Sequence, residues 1–303
     1  MPSKRKSVPN ADESLSLFDS PEGMADRPKV KRPFGVPELR IGTSAFTAAG
    51  WEDAFYPVGM KPPDYLAYYA TQFNTVEIDS TFYRTPSAAT VSGWNEKTPP
   101  DFVFAAKVPR AITHEKVLLD CDKEFDEFIG RIDLLGDKAG PLLLQFPYFN
   151  KKVFKSGGEF CARLRLFLQR AKGMSCRFAV EIRNRPWLDA RFAALLREYN
   201  VALALQDQSW MPRPRETFEK FDPITTDFTY VRWLGDRQGI EEKTKTWDKT
   251  IIDRHQELSE WVDILKKVQK RKIQIFAYAN NHYAGHAPAT VELFLNLWDR
   301  EAR

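Results

Sequence analysis

Eight short segments with the two-residue period of a β-strand recur along this chain, and helical patterns lie between most of them. The strands are predicted at 39–44, 74–79, 102–107, 142–146, 177–182, 201–206, 228–232 and 273–279. Helical spacing is predicted at 63–72, after a Pro-rich turn, and at 121–135, 159–171, 189–199 and 254–269. Eight strands alternating with helices, about 25 to 45 residues apart, are the pattern of a single (β/α)8 TIM-type barrel. The competing α/β architecture is an open, doubly wound sheet. Its phosphate-binding turn, GxGxxG, does not occur in this chain. Polar residues recur at the ends of nearly all eight segments, as a barrel with a site at one mouth requires. The expected fold is α/β, one barrel over residues 38–303.

The stretch 73–84, FNTVEIDSTFYR, carries the clearest functional signal. Val76 and Ile78 alternate with Thr75, Glu77 and Asp79, so one face of the strand is apolar and the other polar. Helical segments flank this strand, so both faces are expected to be covered. Charge on a covered face needs partners, because an unpaired buried charge is costly. Repeating this face assignment on every strand, and reading its C-terminal end, collects Glu77, Asp79, Lys107, Gln145, Glu181, Arg183, Gln206, Arg232 and Asn280 on the inward side.

Several chemistries fit that set. Glu77 and Glu181, on the second and fifth strands, are candidates for an acid–base pair across a bound ligand. The same pairing would serve glycoside cleavage, the weaker alternative. Lys107 is the third catalytic candidate; desolvated it could form a Schiff base, and paired with a carboxylate it stays charged. Lys107, Arg110, Arg183 and Arg232 form a basic clamp suited to carboxylate or phosphate. Asp79, Tyr83, Gln145, Gln206, Asn280 and His286 complete the expected substrate-binding set. Trp51, Phe55, Tyr56, Phe82, Tyr83, Trp187, Trp210, Trp233 and Tyr283 follow strands and offer rings for stacking, with about half of them expected to be packing residues. The four histidines include His282 and His286, four apart in a loop-like stretch, so they are not expected to chelate a metal. A divalent ion on Glu77, Asp79 and Glu181 is the one alternative retained; no cofactor is expected.

The first 37 residues read differently. They are polar, with basic clusters at Lys4, Arg5 and Lys6 and at Lys29, Lys31 and Arg32, and they cannot bury enough apolar surface to fold alone. Residues 1–37 are expected to be a disordered basic tail. Within it, residues 14–19 read SLSLFD. This resembles the short peptide by which bacterial DNA-processing proteins dock on the sliding clamp, with Leu17 and Phe18 as anchors and Ser14 where the glutamine belongs. The net charge of +4 allows an anionic partner without demanding nucleic acid. Three cysteines without metal spacing suit free thiols, no apolar run approaches the ~18 residues of a membrane span, and the N-terminus lacks the apolar core of a signal peptide. A cytoplasmic protein with no membrane partner is expected.

An ordered series of blocks carries a family resemblance. These are Ile41-Gly42-Thr43-Ser44, Phe55-Tyr56-Pro57, Tyr68-Tyr69-Ala70, FVFAAKVPRAITHE (102–115), LLLQFP (142–147), AVEIRNRPW (179–187), YVRWLG (230–235) and YANNHYAGHAP (278–288). From Leu39 onward the chain resembles the YecE-like family, known as domain of unknown function 72. The resemblance implies a TIM-type barrel and supplies no reaction. Asp79 stands where the family usually has asparagine, Phe46 where it has tryptophan, and Asn184 where it often has histidine. The expected function is an enzyme acting on a small anionic or phosphorylated substrate at the C-terminal barrel face. The alternative is a nucleic-acid-associated protein, in DNA repair or processing, recruited through its tail.

Overall fold

The computed structural model describes residues 39–300. The expected disordered tail, with its peptide at 14–19, lies outside the described residues. The eight strands are β1 (Leu39–Thr43), β2 (Thr75–Ile78), β3 (Val103–Lys107), β4 (Ala139–Gln145), β5 (Phe178–Glu181), β6 (Ala202–Gln208), β7 (Phe228–Gly235) and β8 (Gln274–Ala279). All paired neighbours are parallel, in the order β1-β8-β7-β6-β5-β4-β3-β2. The helices are α1 (Tyr65–Gln72), α2 (Ala88–Glu96), α3 (Asp122–Ile132), α4 (Gly157–Ala171), α5 (Ala190–Glu198), α6 (Pro214–Lys220), α7 (Arg237–Glu241), α8 (His255–Lys270), α9 (Asn281–Ala284) and α10 (Ala287–Arg300). The predicted (β/α)8 barrel is the observed fold.

The helices follow their sequence signals. In α3, Phe125, Phe128 and Ile132 recur at three and four residues and are buried. Leu258, Trp261, Val262, Leu265 and Val268 do the same in α8. Side-chain oxygens cap α4 and α5: Ser156 accepts from the Glu159 amide and Asp189 from that of Phe192. Some predicted boundaries shift. The helix expected at 121–135 stops at Ile132 and continues as a 3-10 turn through Gly136, whose φ of 56° an α-helix does not accept. β6 and β7 run past their predicted ends to Gln208 and Gly235. The polar Asp207 conceals that extension in the sequence. It is buried because Trp261 Nε1, Tyr283 Oη and Arg213 Nη1 all donate to it, at 2.9, 2.8 and 3.0 Å.

Complementary sizes fill the barrel interior. Ala105, Ala179, Ala202 and Ala204 come from one side, and Phe228, Tyr230, Phe276 and Tyr278 from the other. Small residues facing large rings let the interior close at normal packing density. The ladder is interrupted only between β1 and β2, where side chains replace it. The Asn74 amide accepts from Ile41 N at 3.1 Å and donates to the Leu39 carbonyl at 3.1 Å. The Tyr69 hydroxyl accepts from Thr43 N at 2.9 Å and reaches the Thr75 carbonyl at 3.2 Å. Gly42 permits the approach, since a Cβ there would fall 2.0 Å from the Thr75 carbonyl oxygen.

Candidate functional site

The C-terminal ends of the strands open into a cavity of about 840 Å³. Beneath it lies a buried ionic layer centred on Arg232. Its Nη2 donates to Glu77 Oε1 at 2.7 Å and its Nη1 to Glu181 Oε2 at 2.8 Å. Tyr230, two residues earlier on the same face of β7, donates its hydroxyl to Glu77 Oε2 at 2.6 Å. Glu77 and Glu181 are both 0% exposed, and neither lines the cavity. The two carboxylates therefore converge on one guanidinium rather than facing each other across open space, which is the arrangement glycoside cleavage needs.

The electrostatics of the pair differ. Burial pushes the Glu77 carboxyl above its usual range; Arg232 opposes this, and the nearby Asp79 adds to it. Burial acts on Glu181 too, but Arg232, Arg183 and Lys107 more than offset it and hold that carboxyl below its usual range. Glu181 has the larger set of cations, because Arg183 Nε also donates to its Oε1 at 3.2 Å.

The groups that do reach the cavity form the layer above. Lys107 ends β3 with its Nζ 3.1 Å from Asp79 Oδ1 and 3.9 Å over the Phe82 ring. Burial lowers its amine pKa, and the Asp79 carboxylate restores only part of that. Asp79 opens the 3-10 turn after β2. Thr81, in the same turn, donates its hydroxyl to the Lys107 carbonyl at 2.7 Å and so fixes the turn against β3. Arg183 lies two residues past β5 and keeps a quarter of its side chain exposed. Arg110, at the rim, pairs with Glu115 at 2.9 Å.

The remaining expected site residues divide. Gln145, Tyr83 and Asn280 line the cavity. Asn280 donates to Ser44 Oγ at 2.9 Å, and its Oδ1 caps α9 by accepting from His282 N. Gln206 does not line the cavity; its Nε2 donates to the Ile182 carbonyl at 2.6 Å. His286 is not brought to the mouth. It lies against the Trp51 ring, its Nδ1 2.6 Å from the Trp247 carbonyl. Of the predicted rim rings, Trp51, Tyr56, Trp233 and Tyr283 are core packing, and Phe82, Tyr83 and Trp210 reach the cavity. Asn184 joins the loops after β4 and β5, accepting from Phe149 N and donating to the Phe149 carbonyl. Among the described residues, no group of three or more His, Cys, Asp or Glu side chains is placed to hold a metal ion. No helix among them is long and apolar enough to cross a membrane.

Strand-end reading missed His114, Tyr148, Gln208, Arg237 and His282, which also line the cavity. Tyr148 sits on a loop, and His114, Arg237 and His282 sit on a π-helical turn and the short helices α7 and α9, too short for a period to mark the inward side; Gln208 sits in the unforeseen extension of β6. His114 packs edge-on to Phe82 at 4.8 Å. Burial lowers its pKa to about 4, and Lys107, Arg183 and Arg110 push the same way. Its imidazole is therefore neutral at pH 7 and takes a proton only as the pH falls towards 4. An NMR titration of the His114 ring is expected to show its midpoint near 4, and a midpoint near the usual 6.5 would contradict the cationic surroundings just described.

The fold and its mouth define a (β/α)8 barrel protein with a buried carboxylate–arginine layer under a mixed-charge cavity. The chain belongs to the family described as "Protein of unknown function DUF72", whose sequence profile matches residues 40–303. It is 28% identical to "UPF0759 protein YunF" of Bacillus subtilis over 275 residues, covering 83% of this chain and 93% of that protein. It is 39% identical to "UPF0759 protein YecE" of Escherichia coli over 82 residues, which are 27% of this chain and 30% of that protein. Among solved structures, a DUF72 family protein from Thermotoga maritima superposes with a TM-score of 0.64 at 25% identity, covering 87% of this chain and 99% of that one. A methyltransferase from Methanosarcina mazei superposes with a TM-score of 0.51 at 10% identity, covering 88% of this chain and 95% of that one, a likeness of fold alone.

Proposed function

We propose that the barrel mouth binds a small organic anion, carboxylate or phosphate, and that the protein is an enzyme acting on it. The observation that carries this reading is the convergence of Lys107, Arg183 and Arg232, from β3, from just past β5 and from β7, on one cavity. The Glu77–Arg232–Glu181 set serves as the positioning layer. It consumes the charge of Arg232 and holds its plane still, so the anion meets a preorganised surface. Lys107 and Asp79 are the reactive pair. A lysine whose pKa is lowered by burial, beside a carboxylate that is about one-third exposed, can exchange a proton with a bound ligand. Arg183 supplies the anion contact: among the described residues only its Nε is engaged in a hydrogen bond. The cations lie in a recess and are interleaved with Asp79 and Glu115, which favours a small ligand over a nucleic-acid duplex.

Calorimetric titration with inorganic phosphate and with citrate tests the anion reading. Arg183→Ala is expected to weaken binding about tenfold or more, as the loss of a charge-assisted bond does, with a smaller loss of stability than Arg232→Met, because Glu181 gives up only the Arg183 Nε contact and keeps Arg232. Affinity in the unaltered protein is expected to fall as pH rises through the lowered Lys107 pKa, below the ~10.4 of a free lysine. Absence of binding by either anion, or equal binding by Arg183→Ala, would overturn the reading.

A further inference from the structure

Among the described residues three aromatic side chains are exposed, Tyr83, Tyr148 and Trp210, at 70, 68 and 47%. All three line the same cavity, the one that holds Lys107 and Arg183. They come from the loops after β2, β4 and β6, so no local sequence feature gathers them. Large rings left in water cost free energy unless something covers them, and every other tryptophan, tyrosine and phenylalanine among the described residues is at least partly buried.

Two further observations describe what covers them. Gln208 lines the cavity and is 8% exposed, yet its Oε1 has no hydrogen-bond partner among the described residues. The amide lies at the cavity wall, and a small turn of the side chain would bring this unpartnered oxygen to a donor on a ligand. Trp210 and Arg237 also border a second cavity of about 570 Å³, so the Trp210 ring lies between two adjoining spaces. Together they exceed what a phosphate ion or a triose-sized phosphate fills, and drug-sized ligands occupy pockets of about 300–1,000 Å³.

We propose that the ligand is a heteroaromatic phosphate of mononucleotide size. This deepens the anion reading above and rests on it. The phosphate lies on Arg183 and Lys107 in the depth of the mouth. The ring stacks at the rim on Trp210 and Tyr148, and its hydrogen-bonding edge meets the Gln208 amide. Stacking on aromatic rings accepts any flat heterocycle, and an amide that both donates and accepts reads the edge of the ring.

Calorimetric titrations of the full chain with the four nucleoside monophosphates, ribose 5-phosphate and inorganic phosphate provide the test. At least one nucleoside monophosphate is expected to bind about tenfold or more tightly than ribose 5-phosphate, the gain typical of one stacked base. Tyr148→Ala, at an exposed position, is expected to remove most of that gain and leave the phosphate affinity alone; Trp210→Ala, whose ring lies 6.0 Å under the Arg183 guanidinium, is expected to remove the gain as measured against its own ribose 5-phosphate affinity. Nucleoside monophosphates that bind no better than ribose 5-phosphate, or whose affinity survives both substitutions, would overturn the heteroaromatic assignment while the anion site stands. If phosphate, ribose 5-phosphate and all four nucleotides fail to bind, the anion reading fails and this inference with it.

Discussion

Arg232→Met is expected to destabilise the fold by about 3 to 5 kcal/mol, the usual effect of removing one partner from a buried ion pair. Glu77 and Glu181 are 0% exposed, and each accepts at least one hydrogen bond from this guanidinium. Without it, Glu77 keeps the Tyr230 hydroxyl and Glu181 keeps the Nε of Arg183. Neither contact neutralises a charge as well as the arginine between them. Equilibrium urea unfolding of the variant gives the number directly. The triple variant that also carries Glu77→Gln and Glu181→Gln is expected to recover much of the loss, since the charges needing a partner are gone. The single changes should differ. Glu77→Gln should be the milder, because burial and the neighbouring Asp79 already hold that carboxyl above its usual range, towards the neutral form that glutamine mimics. Glu181→Gln should cost more, because that carboxyl is held ionised by Arg232, Arg183 and Lys107. A loss below about 1 kcal/mol for Arg232→Met would show that protons or water reach the carboxylates easily. Glu77 and Glu181 would then return to the reactive layer in place of Asp79.

The second large effect is expected at the seam between β1 and β2. Asn74→Ala removes the amide that serves as the backbone of a missing ladder. It leaves the Ile41 N–H and the Leu39 carbonyl without partners in a buried position. An orphaned buried polar group costs about 1 to 3 kcal/mol, so a loss of about 2 to 4 kcal/mol is expected for the two. Amide hydrogen exchange locates it. Ile41 should exchange much faster in the variant, while Thr43, whose amide is held by the Tyr69 hydroxyl, should keep most of its protection. Unchanged stability would mean that water or a shifted backbone group satisfies the Ile41 N–H and the Leu39 carbonyl as well as the Asn74 amide does.

The residue order alone determined the barrel. Every one of the eight strands lies within a few residues of its predicted position, because apolar residues at a period of two and of three to four record which side of each element is buried. The same period placed Glu77, Lys107, Gln145, Glu181, Gln206 and Arg232 on the inward face, since side chains on a strand alternate strictly. Asn74 looked like an ordinary strand-end residue, and its role as a substitute backbone depends on β1 lying opposite at hydrogen-bond distance. Depth along the barrel axis was likewise illegible. Glu77 and Asp79 share a face, yet Glu77 is sealed beneath Arg232 and Asp79 reaches the cavity, a difference of two residues that only the packing of β7 against them sets. Loops and one-turn helices carry no readable period. His114, Tyr148, Arg237 and His282 reached the mouth unannounced, and His286 was carried away from it, because where a side chain on such a connection ends depends on what the rest of the barrel leaves for it to touch.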